Sequence, residues 1–207
     1  LSEIINNSIL DDQKFNKLKI LDEMVKPNNF IYEQYNNLIK FHNFKSEIIT
    51  DKAPQNFLWI GFIKIFFPGS KIIHCSRNPK DTCLSIFKNY FSSKTMYWAY
   101  DQKSIAEYYV LYSNLMDFWK SKFKDDIYEA SYEKIVNSPE TEVKKMISFC
   151  GLEWEAECLN FYKNKKTPVQ TVSISQASKP IYNTSINSNE FYVKYLSEMF
   201  NILDSNL

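Results

Sequence analysis

The sequence predicts an α/β protein in which helices flank a layer of parallel strands. Short apolar runs alternate with longer segments whose apolar residues recur every three or four positions, a pattern typical of alternating strands and helices. Hydrophobic residues make up 44% of the 207 residues, enough to build a core. The net charge of +1 gives no sign of a broad basic surface, so we expect neither nucleic acid nor a membrane as partner.

Most of the chain is predicted to be helical. The apolar period indicates helices over residues 2–25, 28–44, 55–67, 78–90, 101–123, 139–149, 154–162 and 189–203. Pro27 ends the first helix, Pro68 and Gly69 end the third, and Pro79 lies in the first turn of the fourth. Residues between Pro168 and Ser188 follow no period and are predicted to be irregular.

Three short apolar runs are strand candidates: Glu47–Thr50, Lys71–Cys75 and Ile127–Ala130. Because helices separate them, parallel pairing is favoured. Three weak strands are few for a parallel sheet. The chain also starts at Leu1, within a helical pattern and without Met. We therefore expect one domain over residues 1–207 that is a fragment lacking its N-terminal part.

Composition restricts the location and the chemistry. The four cysteines form no CxxC pair and have apolar neighbours, which favours a reduced, cytoplasmic chain. No apolar run reaches the roughly 18–20 residues of a membrane span. His and Cys residues lack metal-ligand spacing, so we expect no metal. Only three glycines occur, and they are far apart, so the chain has no glycine-rich phosphate loop.

The segment after the second strand candidate carries the clearest chemical signal. Arg77, the only arginine among 25 basic residues, follows that strand directly. Open α/β sheets bind ligands at the carboxyl ends of their strands, and the following helix adds N–H groups at its start. Ser85 lies about two helical turns further on, so Arg77 and Ser85 could reach one phosphate. From the spacing alone, a partner carboxylate for Arg77 and a neutral role for Ser85 remain the favoured alternative.

Longer runs make a family resemblance visible. They are DKAPQNFLWIGFIKIFFPGSKIIHCSRNPKDTCLSIF (51–87), ASYEKIVNSPETEVKKMISFCGLEWE (130–155) and TVSISQASKPIYNTS (171–185). Together they resemble the sulfotransferase superfamily, in particular its tyrosylprotein-sulfotransferase-like branch, which includes bacterial proteins with tetratricopeptide repeats. The resemblance covers about residues 46–195. It implies a P-loop-type parallel sheet flanked by helices, here without the N-terminal strand and phosphosulfate loop.

The resemblance also implies roles for individual residues. Arg77 and Ser85 would bind the 3′-phosphate of 3′-phosphoadenylyl sulfate, and Lys52 would contact the sulfuryl group as a catalytic cation. Tyr132 would lie near the nucleotide. The remaining matches lie in the family's cofactor-covering loop: Ser173, Gln176, Lys179 and Tyr182.

Some positions depart from the family pattern. The phosphosulfate loop is absent, and the family's catalytic glutamate would fall just before Leu1. Asn89 stands where relatives carry a further arginine, although the neighbouring Lys88 could supply a point charge. In the covering loop, basic or aromatic family residues are replaced at three positions: Ser178, Ser188 and Asn189. We therefore expect the fragment alone to be inactive.

The resemblance implies a sulfotransferase that transfers a sulfuryl group from 3′-phosphoadenylyl sulfate to a hydroxyl acceptor, either a protein tyrosine or a saccharide. Tetratricopeptide repeats would precede the domain in the parent chain. Two alternatives stay open: an inactive nucleotide-binding or structural module, and a relative of nucleotide kinases that uses the same strand, arginine and helix.

A few further residues admit two interpretations. His74, inside an apolar strand, is expected to be structural. Asp81 could orient basic side chains or cap its helix. The aromatic run Met96–Asp101 could line an acceptor site or fill a core. Four aromatic residues recur at helical spacing and are predicted to be core residues: Tyr108, Tyr109, Tyr112 and Trp119.

Overall fold

The computed structural model describes residues 30–41, 48–92, 94–163 and 179–207. The chain divides into two compact units, Leu1–Ser70 and Lys71–Leu207, which are treated separately below. The helix predicted over residues 2–25 lies outside the described residues. No described helix is long and apolar enough to cross a membrane.

The first unit is helical where it is described. It contains helix α1 (Phe30–Phe41), a 3-10 helix (Pro54–Trp59) and helix α2 (Ile60–Phe66). Pro54 suits the start of the 3-10 helix because it needs no N–H partner there. A single α-helix was expected over 55–67, but its first half is tighter than an α-helix. The strand expected at Glu47–Thr50 is wrong for residues 48–50, which are exposed and belong to no strand.

Aromatic rings and a buried lysine hold this unit together. Tyr32 and Tyr35 place their rings 5.4 and 5.0 Å from that of Phe67. Lys64 is only 8% exposed, and its ammonium group donates hydrogen bonds to the carbonyls of Pro68 (2.6 Å) and Ser70 (2.9 Å). The lysine therefore satisfies carbonyl groups in the turn that follows α2, and these hydrogen bonds offset part of the cost of burying its charge.

The second unit alternates strands and helices. Its regular elements are β1 (Ile72–Ser76), α3 (Pro79–Phe87), α4 (Gln102–Lys122), β2 (Ile127–Ser131), α5 (Tyr132–Asn137), α6 (Pro139–Phe149) and α7 (Ser197–Asn206). Three 3-10 helices lie between them: Lys94–Tyr100, Ala156–Lys163 and Ser188–Tyr192. The bounds of β1, β2, α4 and α6 agree with the sequence prediction to within about a residue. The helices expected at 154–162 and from 189 begin instead as 3-10 turns.

The two strands pair in parallel, as the alternation predicted. Ile72 lies opposite Ile127, His74 opposite Glu129, and Ser76 opposite Ser131. Side chains alternate between the faces of a sheet, so these three pairs share one face. The carboxyl ends of β1 and β2 therefore lie side by side, which brings the residues that follow the two strands together.

The core of this unit lies between helices α3, α4 and α7. Its fully buried members are Cys83, Leu84, Ile105, Ala106, Leu196, Met199, Phe200 and Leu203. Trp98 packs at its edge and stacks on Tyr108 with ring centroids 4.2 Å apart. Two tyrosines of the run Met96–Asp101 face solvent: Tyr97 and Tyr100. The run thus contributes to the core through Trp98 and Ala99 and leaves its tyrosines outside.

Candidate functional site

Arg77 lies at the carboxyl end of β1, directly before the first residue of the turn into α3. Its guanidinium carbon lies 5.0 Å from the centre of the Tyr132 ring, at the start of α5. One terminal nitrogen, Nη2, donates a 2.5 Å hydrogen bond to the carbonyl of Ser185. The same nitrogen lies 4.0 Å from a carboxylate oxygen of Asp81. The guanidinium is therefore held between an aromatic ring, a backbone carbonyl and a carboxylate.

One group of Arg77 is left without a partner. Its Nε–H is buried and makes no hydrogen bond to any described residue. An unsatisfied buried donor costs about 1–3 kcal/mol, and more on a charged group. A bound anion would remove this cost, since guanidinium binds phosphate or carboxylate oxygens through paired N–H groups. The sequence left open whether a carboxylate is the partner of Arg77. Asp81 provides one, but at 4.0 Å it lies beyond hydrogen-bonding distance.

Ser85 lies on α3, half-buried, as the spacing indicated. Its carbonyl accepts a 2.6 Å hydrogen bond from the side-chain amide of Asn89. Asn89 therefore turns back onto its own helix and adds no charge beside Ser85. Lys88 places its ammonium group 5.4 Å from the Tyr192 ring.

The start of α3 offers fewer N–H groups than the sequence suggested. The Asn78 N–H donates to Glu133 Oε1 at 2.8 Å. Pro79 has no N–H, and the Asp81 N–H donates to the side chain of Asn78 at 3.1 Å. The Thr82 N–H donates to the Asn78 carbonyl. Two of the N–H groups expected to face a ligand, those of Asn78 and Asp81, are therefore engaged by side chains of the protein itself.

Tyr132 joins the Arg77 site to the segment 179–185. Its hydroxyl donates a 3.5 Å hydrogen bond to the carbonyl of Tyr182, while its ring lies beside Arg77. Tyr182 is half-buried and Lys179 is exposed. Ser173 and Gln176 lie outside the described residues. The structure thus brings Arg77, Tyr132 and Tyr182 together and leaves Lys179 at the surface.

Asp81 is fully buried and anchors the residues that follow this segment. Its carboxylate accepts hydrogen bonds from the Asn187 N–H (2.8 Å), the Ser188 hydroxyl (3.0 Å), and the backbone (2.8 Å) and side-chain (2.9 Å) N–H groups of Asn189. Burial alone would raise the pKa of Asp81, but these hydrogen bonds outweigh it and hold the pKa below its ordinary value of 3.8. Asn187 has a left-handed backbone (φ 57°), which brings consecutive groups towards this carboxylate.

A cleft of about 280 Å³ extends from Arg77 between α4 and the sheet. Its lining is His74, Ser76, Arg77, Asn78, Pro79, Tyr109, Tyr112, Ser113, Met116, Lys120, Glu129 and Glu133. Tyr109 donates a 3.4 Å hydrogen bond to the Arg77 carbonyl. Tyr109 and Tyr112, expected to be core residues, are half-buried and line this cleft, and Tyr109 also packs against the buried core.

The far end of the cleft holds a polar cluster. His74 Nε2 shares a hydrogen bond with the Tyr112 hydroxyl, and His74 Nδ1 lies 4.0 Å from Glu129. Burial lowers the pKa of His74, although the Glu129 carboxylate opposes that change. Burial and Glu129 raise the pKa of Tyr112 to about 12. Lys120 is hydrogen-bonded to Glu129 at 3.1 Å. At neutral pH His74 and Tyr112 therefore form an uncharged pair, which lies beside the Lys120–Glu129 ion pair. This arrangement is consistent with the structural role expected for His74.

Lys52 belongs to the first unit and is exposed. Its neighbour Asp51 accepts hydrogen bonds from the Tyr35 hydroxyl (3.1 Å) and the Asn56 side chain (3.0 Å). Burial, with Asp51 adding to it, raises the pKa of Tyr35 to about 12. The turn that carries Lys52 is thus tied to α1 and to the 3-10 helix Pro54–Trp59. Among the described residues, no cluster of His, Cys, Asp and Glu could hold a metal ion.

Sequence reasoning missed one member of the site and left another undecided. Glu133 was not singled out, although it follows Tyr132 directly, and Asp81 was left between two roles. Both act on residues more than 50 positions away. The available signal was that each carboxylate lies in the first turn of a helix that follows a strand. Interaction with the helix start explains the same pattern equally well, so the sequence did not reveal the distant partners.

The fold defines a class: an α/β protein whose candidate site lies at the carboxyl ends of two parallel strands. A model of the sulfotransferase family matches residues 6–156, and the chain belongs to that family. An uncharacterized protein of Aquifex aeolicus (strain VF5) is 37% identical over 157 residues, 75% of this chain. The chain spans about a fifth (20%) of the length of that relative.

A solved structure supports the fold. The sulfotransferase domain from the curacin biosynthetic pathway matches with a TM-score of 0.55 and 16% identity, covering 99% of this chain and 77% of that domain. The predicted sulfotransferase superfamily and α/β fold are confirmed. The more specific tyrosylprotein-like branch stays a prediction.

Proposed function

We propose that this chain provides the 3′-phosphate site of a sulfotransferase that uses 3′-phosphoadenylyl sulfate as donor and a hydroxyl group as acceptor. The observation that carries the proposal is Arg77: it ends a parallel strand, lies beside the Tyr132 ring, and keeps a buried Nε–H without a described partner. Family membership supplies the class of reaction.

In this proposal the side chains act by positioning and by electrostatics. Arg77 and Ser85 hold the 3′-phosphate, and Tyr132 packs beside the guanidinium. Ser173, Gln176 and Lys179 contribute to the nucleotide site from the covering loop. A cation–aromatic contact that is shielded from water contributes about 0.5–2 kcal/mol to holding the guanidinium in place.

The transfer step itself is an in-line displacement at sulfur. The acceptor oxygen forms a bond to sulfur while the bond from sulfur to the 5′-phosphate oxygen breaks, and the hydroxyl proton passes to a base. Negative charge grows on the departing 3′-phosphoadenosine 5′-phosphate. Lys52 is proposed to stabilise that charge as a fixed cation, with orientation providing the rest of the acceleration.

The proposal also includes the acceptor, the domain organisation and the cellular location of the protein. A protein tyrosine or a saccharide is the acceptor, and residues 1–207 form part of one domain with tetratricopeptide repeats upstream. The fragment alone is proposed to bind the nucleotide without turning it over. Four free cysteines support a cytoplasmic location: Cys75, Cys83, Cys150 and Cys158.

Calorimetric titration of the 207-residue chain with 3′-phosphoadenosine 5′-phosphate tests the proposal. Adenosine 5′-phosphate, which lacks the 3′-phosphate, should bind much more weakly. Arg77→Ala should weaken binding by about 1.5–3 kcal/mol, roughly 10- to 150-fold, since hydrogen bonds to a charged group are lost. Lys103→Ala removes an exposed cation whose nearest partner is Glu107, and it serves as the matched control. Equal affinities for both nucleotides, or an unchanged affinity in Arg77→Ala, would contradict the assignment.

A further inference from the structure

We propose that Glu133 is a positioning residue that holds Arg77 in the geometry needed to grip the nucleotide; this inference rests on the proposed function. Glu133 Oε1 accepts a 2.8 Å hydrogen bond from the N–H of Asn78, the residue after Arg77. Glu133 Oε2 accepts a 3.1 Å hydrogen bond from the hydroxyl of Ser131. One carboxylate thus bridges the chain at the exit of β1 to the end of β2.

The bridge acts where the sheet no longer holds the chain. The last paired residues of the two strands are Ser76 and Ser131, so Arg77 lies one residue beyond the ladder. Beyond that point, backbone pairing no longer fixes the distance between the two chain segments. The Asn78–Glu133 hydrogen bond restores a fixed distance just after Arg77.

The position of Glu133 in α5 makes this bridge specific to the guanidinium. Tyr132, the preceding residue, carries the ring that lies 5.0 Å from the Arg77 guanidinium carbon. Arg77 and Tyr132 are therefore each adjacent in sequence to one end of the Asn78–Glu133 hydrogen bond. A change in that bond changes the separation of guanidinium and ring, and with it the direction of the unpartnered Nε–H.

A direct ligand role for Glu133 is disfavoured by its charge. A carboxylate beside a bound phosphate repels it, because like charges disfavour each other. Both oxygens of Glu133 accept hydrogen bonds from the chain itself, one from an N–H and one from an O–H. Its effect on the nucleotide is therefore indirect and passes through Arg77.

The single arginine makes the position of Arg77 directly observable. Labelling with ¹⁵N-arginine gives one Nε–Hε signal for the 207-residue chain, because no other arginine is present. The Tyr132 ring displaces this signal from that of free arginine. Glu133→Ala should move it towards the free value, whereas Glu133→Gln, which keeps one oxygen acceptor, should leave it in place. Glu140→Ala removes an exposed helix carboxylate and should not move the signal.

Nucleotide binding gives the second measurement. Glu133→Ala should weaken binding of 3′-phosphoadenosine 5′-phosphate roughly 3- to 15-fold, as expected for the loss of about one hydrogen bond. Glu133→Gln should stay within about twofold. In the Arg77→Ala background, Glu133→Ala should have no further effect, because both changes act on one contact. Ser131→Ala, which removes one side of the bridge, should give a smaller shift of the same sign.

The outcomes separate this inference from the proposed function. If Glu133→Ala leaves the signal and the affinity unchanged, or if Glu133→Gln loses as much as Glu133→Ala, the positioning role is wrong. Additive losses in the double variant would also contradict it. A wild-type chain that binds no 3′-phosphoadenosine 5′-phosphate, but whose signal moves in Glu133→Ala, would overturn the proposed function and leave the positioning role standing.

Discussion

Replacing Asp81 should separate the residues 187–189 from α3 and should cost much of the stability of the second unit. The carboxylate is fully buried and accepts four hydrogen bonds from three residues. In Asp81→Ala two backbone N–H groups, those of Asn187 and Asn189, lose their acceptor in a buried setting. Each such loss costs about 1–3 kcal/mol, so we expect a destabilisation of about 3–5 kcal/mol once partial relaxation is allowed for.

Urea unfolding followed by tryptophan fluorescence measures this change, provided that the slope of the transition is the same in both proteins. Asp81→Asn should lose less than Asp81→Ala, since it keeps one oxygen but turns an N–H₂ group towards backbone donors. Asp204→Ala, at an exposed ion pair with Lys80, is the matched control and should change stability by less than about 1 kcal/mol. A loss in Asp81→Ala no larger than in this control would refute the reasoning.

The same carboxylate predicts a pH dependence with a definite sign. The folded pKa of Asp81 lies below 3.8, so its contribution to stability is complete above that pH and is lost as the pH falls through the folded pKa. Wild-type stability should therefore fall more steeply below about pH 4 than that of Asp81→Asn. Parallel slopes in the two proteins would contradict the hydrogen-bonded, ionised state.

Two further changes test the proposed site. Lys52→Ala should slow sulfuryl transfer by the complete protein at least about tenfold and leave the nucleotide affinity nearly unchanged. Measurements of kcat and Kd test this expectation. A variant that keeps full turnover would show that Lys52 is not catalytic. Tyr132→Leu should weaken binding of 3′-phosphoadenosine 5′-phosphate roughly 2- to 30-fold, because the cation–aromatic contact is lost. Tyr132→Phe keeps the ring and should keep most of the affinity, and titration measures both variants. A larger loss in Tyr132→Phe than in Tyr132→Leu would mean that the hydroxyl matters more than the ring.

Two of the three expected strands and the place of Arg77 were predictable because they depend on local patterns. The apolar runs at Lys71–Cys75 and Ile127–Ala130 became β1 and β2, and Arg77 lies at the strand end as expected. Helix α4 was predicted within about one residue because its cap, Asp101, accepts a 2.8 Å hydrogen bond from the Ser104 N–H.

What the sequence could not predict depends on contacts between distant residues. The roles of Asp81 and Glu133 require the register of β1 on β2 and the course of residues 179–189, which no local period encodes. The engagement of the Asn78 N–H was missed for the same reason, because its acceptor is a carboxylate 55 residues away. The 3-10 geometry at Pro54–Trp59 and Ala156–Lys163 was missed because it shares most of its apolar spacing with an α-helix.

The left-handed turn at Asn187 has a consequence for how this chain tolerates its composition. Left-handed backbone is the usual reason to keep a glycine, yet this chain has three glycines and is rich in asparagine. Asparagine is the next best residue for that conformation, because its short polar side chain can satisfy nearby backbone groups. A turn of this kind can therefore be built without glycine, and at Asn187 the turn also directs a backbone N–H onto a buried carboxylate.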